Sequence, residues 1–154
     1  MKTIMTSFAC LAIVTIMVSC GGTSEQKPAA SGTAPAAKPA SNDPKANKGI
    51  GPVKELTLGE LDPAMAAEGE EIFKKMCSAC HKPAEKFIGP APKGILDRRS
   101  PEWIMNMILN PEEMVKYDEI AKKLLIEANL APMANQHLTQ EQARAVLEYF
   151  RTIN

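Results

Sequence analysis

The folded part of this chain is predicted to be all-α. Three candidate helix starts share one pattern, a capping side chain before a proline at the first helical position: Asp62-Pro63, Ser100-Pro101 and Asn110-Pro111. Thr139 with Gln142 three residues later is the pattern of a capping box for a last helix. No stretch shows the alternation of polar and apolar residues that indicates a half-buried strand. The sequence therefore predicts helices joined by irregular connections.

The N-terminus has the pattern of an export signal. Lys2 precedes an apolar run, Ile4 to Val18, that is too short for a good spanning helix and is typical of a signal peptide. The run closes on Ser19-Cys20-Gly21, which resembles the lipobox of bacterial lipoproteins. This resemblance implies that residues 1–19 are removed and that Cys20 is lipidated. An ordinary signal peptide cut nearby, or an uncleaved anchor, is the alternative.

Residues 20–49 are predicted to be a disordered tether behind the lipidated cysteine. From Gly21 to Gly49 there is no Val, Ile, Leu, Met or aromatic residue, so this segment cannot bury enough apolar surface to offset the entropy of ordering. A flexible coil of this length spans about 30 Å. Residues 50–154 are then left for one folded domain of ordinary small size.

The motif Cys77-Ser78-Ala79-Cys80-His81 has the spacing of a c-type haem attachment site. Each thiol can form a thioether with one haem vinyl group, and His81 becomes the proximal iron ligand. A structural zinc site needs four ligands in closed tetrahedral geometry, and the adjacent Cys80 and His81 are poorly placed to bind one ion. A thioredoxin-like pair needs a βαβ context that this chain lacks. We therefore predict one covalent haem c.

Two predicted helices flank the domain and are expected to cross. The first runs from about Pro63 to Met76 and carries Gly69 on its apolar face. A glycine inside a helix costs about 1 kcal/mol relative to alanine, so Gly69 suggests close approach of another backbone. The last helix, about Thr139 to Thr152, offers an apolar face as the partner.

These features together resemble class I cytochrome c, over about Asp62 to the end of the chain. The resemblance includes Glu68 to Phe73 before the haem motif, Gly89-Pro90 after it, and Pro132-Met133 in a loop before the last helix. It implies the class I cytochrome c fold, with crossing N- and C-terminal helices around one haem. It also implies Met133 as the sixth iron ligand, which raises the potential.

Alternatives to that ligand stay open at this stage. His137, four residues after Met133, would give bis-His ligation, and Met114 is a more remote choice. The resemblance further implies that the backbone carbonyl of Pro90 accepts a hydrogen bond from the free ring nitrogen of His81 and fixes its orientation.

The haem propionates need hydrogen-bond donors. Trp103, Arg98 and Arg99 are candidates, since indole N–H and guanidinium groups both donate to carboxylates. Alternatively, Trp103 is a core residue and the arginines face water. We expect a wall of apolar side chains around the haem: Phe87, Ile88, Ile95, Leu96, Ile104, Ile108, Leu124 and Leu125.

Charge and amphipathic patterns indicate surfaces for partners. The formal net charge is zero, which argues against a nucleic-acid binder. Basic residues nevertheless outnumber acidic ones between Lys74 and Arg99, and a positive rim there would steer an acidic redox partner. The alternative is an ordinary solvated surface. The segment Met114 to Asn129 has an amphipathic helical pattern and is expected to cover haem or meet a partner.

The predicted function is that of a mono-haem electron carrier, anchored by lipid to the inner or outer membrane and facing the periplasm. It would take electrons from a quinol-oxidising complex or another cytochrome and pass them to a respiratory reductase or oxidase. The closest likeness is to lipoprotein cytochromes of bacterial respiratory chains, including those that accompany nitrous-oxide reductase. Such a carrier is not an enzyme on its own. A haem enzyme or gas sensor with an open distal site, and a purely structural lipoprotein, are the alternatives.

Overall fold

A computed structural model describes residues 43–154 and shows helices without strands in that range, which confirms the all-α prediction. The helices are α1 (Pro63–Met76), α2 (Ile95–Arg98), α3 (Pro101–Leu109), α4 (Pro111–Tyr117), α5 (Glu119–Glu127) and α6 (Gln140–Thr152). The predicted signal peptide, Cys20 and the tether up to residue 42 lie outside the described residues. In the described range, none of the helices has the length and apolar character needed to cross a membrane.

Side-chain caps explain where three of the helices begin. The carboxylate of Asp62 accepts the backbone N–H of Ala64 and Met65 at 2.9 and 3.1 Å. Ser100 Oγ accepts the N–H of Trp103 at 3.1 Å. Thr139 and Gln142 form the expected capping box. Each of these caps satisfies a backbone donor that the first helical turn leaves without a partner.

Helices α1 and α6 cross at Gly69, as the sequence predicts. A Cβ atom at this position would overlap the backbone carbonyl of Ala145 in α6, so only glycine allows the two backbones to approach this closely. One turn further along α1, the ring of Phe73 packs on Tyr149 and Phe150, with centroid distances of 5.5 and 5.9 Å. The contact between the two helices therefore consists of close backbone approach at Gly69 and of aromatic packing around Phe73.

A fully buried carboxylate, Glu148, ties α6 to the start of α1. It accepts the backbone N–H of Asp62 at 2.8 Å and Arg151 Nη1 at 2.7 Å, and it also pairs with Arg144. Burial by itself raises the pKa of Glu148, but the bonds from Asp62, Arg144 and Arg151 outweigh burial and leave the pKa below its ordinary value. The carboxylate is thus held ionised inside the protein.

The folded unit begins before residue 50, which corrects the predicted end of the tether. Asn47 is 1% exposed, its backbone carbonyl accepts Ser100 Oγ at 2.6 Å, and its amide donates to Asp118 at 2.6 Å. The buried amide of Asn106 adds bonds to the carbonyl of Lys48 and to both backbone groups of Val53. The composition of residues 43–49 does not predict that they are part of the folded unit. Polar partners at Ser100, Asn106 and Asp118 hold these residues in place, and not apolar side chains of their own.

The predicted amphipathic segment Met114 to Asn129 contains the end of α4 and the whole of α5. The chain becomes extended at Asp118, where φ is −98° and ψ is 121°, and the Asp118 carboxylate accepts the N–H of Ala121 at 2.8 Å to start α5. Met114 is fully buried, and its sulfur accepts the N–H of Ile50 at 3.0 Å. Met114 is therefore a core residue, which removes it as an alternative iron ligand.

Candidate haem-binding site

The haem motif begins where α1 ends. Cys77 is the C-cap of α1, and its carbonyl accepts the N–H groups of Cys80 and His81 at 3.1 and 2.9 Å, so the motif forms one tight turn. Both thiols are free and both line the same pocket. Burial, with a smaller contribution from Cys80, raises the pKa of the Cys77 thiol to about 11. The apolar surroundings that raise this pKa are those expected of a haem crevice.

The imidazole of His81 is held in a fixed orientation. Its Nδ1 lies 2.8 Å from the carbonyl oxygen of Pro90, which is the contact that the resemblance implies. The ring also lies against Gly89, where a Cβ atom would overlap it. Since Nδ1 donates to the carbonyl, Nε2 is the nitrogen left with a lone pair for a metal. The position of this ring therefore requires glycine at residue 89.

An apolar pocket of about 200 Å³ borders the motif. Six of the predicted wall residues line it: Ile88, Ile95, Ile104, Ile108, Leu124 and Leu125. Phe87 and Leu96 do not. The ring of Phe87 is 52% exposed, with Lys82 Nζ at 5.2 Å from its centroid, and Leu96 packs against the main core. All of the helices α1 to α6 contribute residues to the lining of the pocket, so the pocket is a product of the tertiary fold.

Met133 lines the same pocket as His81, whereas His137 does not. His137 is exposed with φ 53°, and its backbone N–H donates to Asn135 Oδ1 at 2.9 Å. The pocket thus combines two thiols, an imidazole with a free Nε2 and a thioether inside an apolar wall. This donor set fits a covalently attached haem c, with Cys77 and Cys80 for the thioether bonds and His81 and Met133 for the iron.

The ring of Trp103 lines the pocket, but its indole N–H is directed towards Asp118. It is 2% exposed, and its Nε1 donates to Asp118 at 3.2 Å. Indole has a single N–H, and Asp118 takes it. This contact argues against Trp103 as a propionate donor and supports the alternative, in which Trp103 is a core residue that lines the wall.

Neither predicted arginine lines the pocket. Arg98 donates to the carbonyls of Ala91 and Lys93 at 3.1 to 3.2 Å and holds the loop before α2. Arg99 lies over the Trp103 ring at 5.3 Å. Its Nε is the single buried side-chain nitrogen or oxygen within residues 43–154 that lacks a hydrogen-bond partner. A contact between either arginine and a propionate stays a prediction, and the unused Nε of Arg99 makes it the better candidate.

Two polar residues at the site are not predicted from the sequence. Gln136 lines the pocket three residues after Met133. Asp118 is fully buried and contacts Trp103 from behind the wall. Asp118 could have been found from its sequence context, because an aspartate followed by Glu119 and an apolar helical pattern is a helix-start signal. Gln136 follows no comparable pattern.

The basic segment is partly neutralised by local contacts. Lys74 forms ion pairs with Glu70 and Glu71 at 3.1 and 3.0 Å, which raise the pKa of Lys74. Lys86 donates to the backbone carbonyl of Glu127 at 2.8 Å and so bridges the haem-motif loop to the end of α5. Within the predicted positive rim, the charge of Lys74 is therefore offset locally, whereas the bond to a neutral carbonyl leaves the charge of Lys86 in place.

Comparison with known proteins agrees with this geometry. The family model for cytochrome c matches residues 66–154. The structure is similar to a cytochrome c from Rhodothermus marinus, with 45% sequence identity and a TM-score of 0.64, covering 67% of this chain and 89% of that one. An engineered form of that protein, Rma TDE, gives 45% and 0.63, covering 67% of this chain and 90% of that one. No curated protein gives a match.

Proposed function

Since the chain belongs to the cytochrome c family, whose members carry electrons on covalently attached haem c, we propose that it is a mono-haem carrier anchored through lipidated Cys20. The anchor, which the lipobox-like residues and the apolar leader support, would place the domain on the periplasmic face of a bacterial membrane. The Ala- and Pro-rich residues behind Cys20 would give the domain reach between partners.

His81 and Met133 are the proposed axial ligands. The observation that carries this assignment is their presence in one apolar pocket, with the His81 ring fixed by Pro90 at 2.8 Å. Haem supplies a one-electron Fe(III)/Fe(II) couple when bound. Cys77 and Cys80 hold it covalently, Met133 supplies a neutral thioether that favours the reduced state, and the apolar wall excludes water. With both axial positions filled, no site is left for a substrate, so we propose a carrier and not an enzyme.

The proposed partners are proteins. The donor would be a quinol-oxidising complex or another cytochrome, and the acceptor a respiratory reductase or oxidase, with nitrous-oxide reductase as one candidate. Support comes from the exposed lysines of the haem-motif segment that form no ion pair among the described residues, Lys75, Lys86 and Lys93. Their charge would speed encounter with an acidic partner and make the rate fall with ionic strength.

The ligand assignment is tested by replacing Met133 and its rival separately. Met133→Ala should abolish the methionine–iron charge-transfer band of the oxidised protein and lower the reduction potential, because a neutral soft ligand is lost. His137→Ala should leave both unchanged. If Met133→Ala leaves the band and the potential intact, the assignment is wrong. Rapid binding of CO or cyanide by the native protein would instead support the haem enzyme or gas sensor.

The anchor is tested in the producing cell. The native protein should fractionate with membranes, and mass spectrometry should find lipid on Cys20 at the N-terminus of the mature chain. Cys20→Ser should remove the lipid and release a haem-containing protein into the soluble periplasmic fraction. A native protein without lipid, found in the soluble fraction, would refute the membrane proposal and leave the carrier function standing.

A further inference from the structure

Asp118 is a buried carboxylate whose side-chain hydrogen bonds all come from neutral donors, although the Arg99 guanidinium interacts with it electrostatically. It has no exposed surface and receives three N–H bonds: Oδ2 from the Asn47 amide at 2.6 Å, and Oδ1 from the Ala121 backbone at 2.8 Å and the Trp103 indole at 3.2 Å. Both oxygens act as acceptors, as expected of an ionised group. None of the salt bridges formed within residues 43–154 includes Asp118.

The residues that bind this carboxylate form part of the haem pocket. The ring of Trp103 and the side chain of Ala121 both line it. Ala121 belongs to the first turn of α5, the helix whose start Asp118 caps and which supplies Leu124 and Leu125 to the wall. Asp118 therefore lies directly behind two elements of the wall and fixes the position of both.

The third donor, Asn47, is itself immobilised. Its Oδ1 accepts the N–H of Gly49 at 2.7 Å, and its backbone carbonyl accepts Ser100 Oγ at 2.6 Å. With its oxygen occupied in this way, the amide of Asn47 can present only its NH₂ group to Asp118. The donor set thus favours a negative charge at this point and does not depend on a mobile side chain.

We propose that Asp118 is a positioning residue of the haem site that also keeps a negative charge behind Trp103 and so lowers the reduction potential. In the low dielectric of a protein interior, a buried charge acts strongly on a neighbouring one. An anion stabilises the oxidised iron, which carries one more positive charge than the reduced iron. The inference rests on the proposed carrier function, in which the iron stays ligated in both states.

The decisive variant is Asp118→Asn, which removes the charge and keeps an acceptor oxygen for Trp103 and Ala121, while its NH₂ group takes the place of the oxygen that accepts from Asn47. We expect its reduction potential to rise. Against a fixed redox partner the equilibrium constant should shift about tenfold towards the reduced protein, which corresponds to 59 mV for one electron. The measurement is a spectroscopic redox titration, with the methionine–iron band recorded to confirm that the iron ligands are unchanged.

Glu148→Gln is the matched control. Glu148 is equally buried, but Arg144 and Arg151 neutralise it, and it does not line the pocket. This variant also removes one buried negative charge, so a general effect of charge or stability would appear in both proteins. We expect Glu148→Gln to lower stability and to shift the redox equilibrium by less than about threefold.

A second variant keeps the proposal testable if Asp118→Asn does not fold. Asn47→Ala removes one donor whose dipole offsets the charge of the carboxylate, so at alkaline pH, where the carboxylate keeps its charge, the potential should fall. An unchanged or higher potential in Asn47→Ala would overturn the proposal. So would a folded Asp118→Asn protein whose potential is unchanged or lower, or an equal rise in Glu148→Gln. A native protein without the methionine–iron band would refute Met133 as a ligand, and the comparison of potentials would still decide on Asp118.

Discussion

The molecule contains two fully buried carboxylates that are held in opposite ways. Glu148, at the α1–α6 crossing, pairs with Arg144 and Arg151 and accepts one backbone N–H. Asp118, behind the haem pocket, has three neutral N–H donors and forms no salt bridge within the described range, and Arg99 interacts with it only electrostatically. The carboxylate at the crossing is thus bonded directly to cations, whereas the one behind the pocket is not. The difference suggests that the crossing serves stability and that the pocket wall serves the properties of the haem.

The two regions also differ in whether the bonded groups belong to the haem pocket. Glu148 binds two arginines of its own helix and the backbone N–H of Asp62, 86 positions away, and neither Glu148 nor its arginines line the pocket. Asp118 joins Asn47, Trp103 and Ala121, and the last two line the pocket. A change in the crossing should therefore act mainly on the free energy of unfolding, while a change in the wall should also reach the haem.

The largest loss of stability is expected for Gly69→Ala, at the crossing of α1 and α6. The new methyl group would overlap the carbonyl of Ala145, and neither backbone can move without separating the helices. We expect unfolding to become easier by about 3 kcal/mol, the upper part of the range for overpacking, as measured by denaturant titration. Gly59→Ala is the control, because nothing lies within 4 Å of its added Cβ. Equal stability of the two variants would contradict the close contact.

A smaller loss, about 2 kcal/mol at neutral pH, is expected for Glu148→Gln, because two arginines lose their buried partner. The effect should depend on pH. The pKa of Glu148 is lowered on folding despite the opposing effect of burial, so its stabilisation is fully present above the ordinary carboxyl range and is lost as pH falls through the lowered pKa.

Unfolding titrations at several pH values check this pH dependence. The difference in stability between native protein and Glu148→Gln should shrink as the solution becomes acidic. A difference that stays constant, or that grows towards low pH, would mean that the carboxylate is not held ionised in the folded protein.

The smallest loss of stability is expected for Ser100→Ala, at the start of α3. Ser100 caps α3 by accepting the N–H of Trp103 at 3.1 Å, and it donates to the carbonyl of Asn47 at 2.6 Å. Loss of a helix cap costs about 1 kcal/mol, and thermal or denaturant unfolding will measure it. Ser100→Thr keeps the hydroxyl group and should retain most of the stability. If both variants lose the same amount, the hydroxyl is not the relevant group.

Local patterns account for the parts of the fold that were predicted correctly. The bounds of α1 and the capping box of α6 follow from side chains within a few residues of each helix start. The crossing at Gly69 follows from a glycine placed on an apolar helical face, since such a residue is unfavourable unless another backbone is near. Both kinds of signal depend only on residues that lie close together in the sequence.

The errors concern contacts between distant segments. The tether was predicted to extend to residue 49 because its composition is polar, yet Asn47 is buried by polar partners on α3 and at Asp118. The sequence leaves open whether Trp103 donates to a propionate or lies in the core, and only the folded chain shows that Asp118 accepts its N–H. Residue type predicts that a donor exists, but not which acceptor the fold brings to it.

The sequence by itself determined that haem is attached at Cys77, Cys80 and His81, because two covalent bonds and one axial bond need only five consecutive residues. It also determined that the surrounding chain is helical, because caps and periodicity are local. Only the tertiary structure decided that Met133 shares the pocket while His137 does not, and that Asp118 lies behind its wall. Those placements depend on how α3, α5 and the loop before α6 pack together, and long-range packing leaves no short pattern in the sequence.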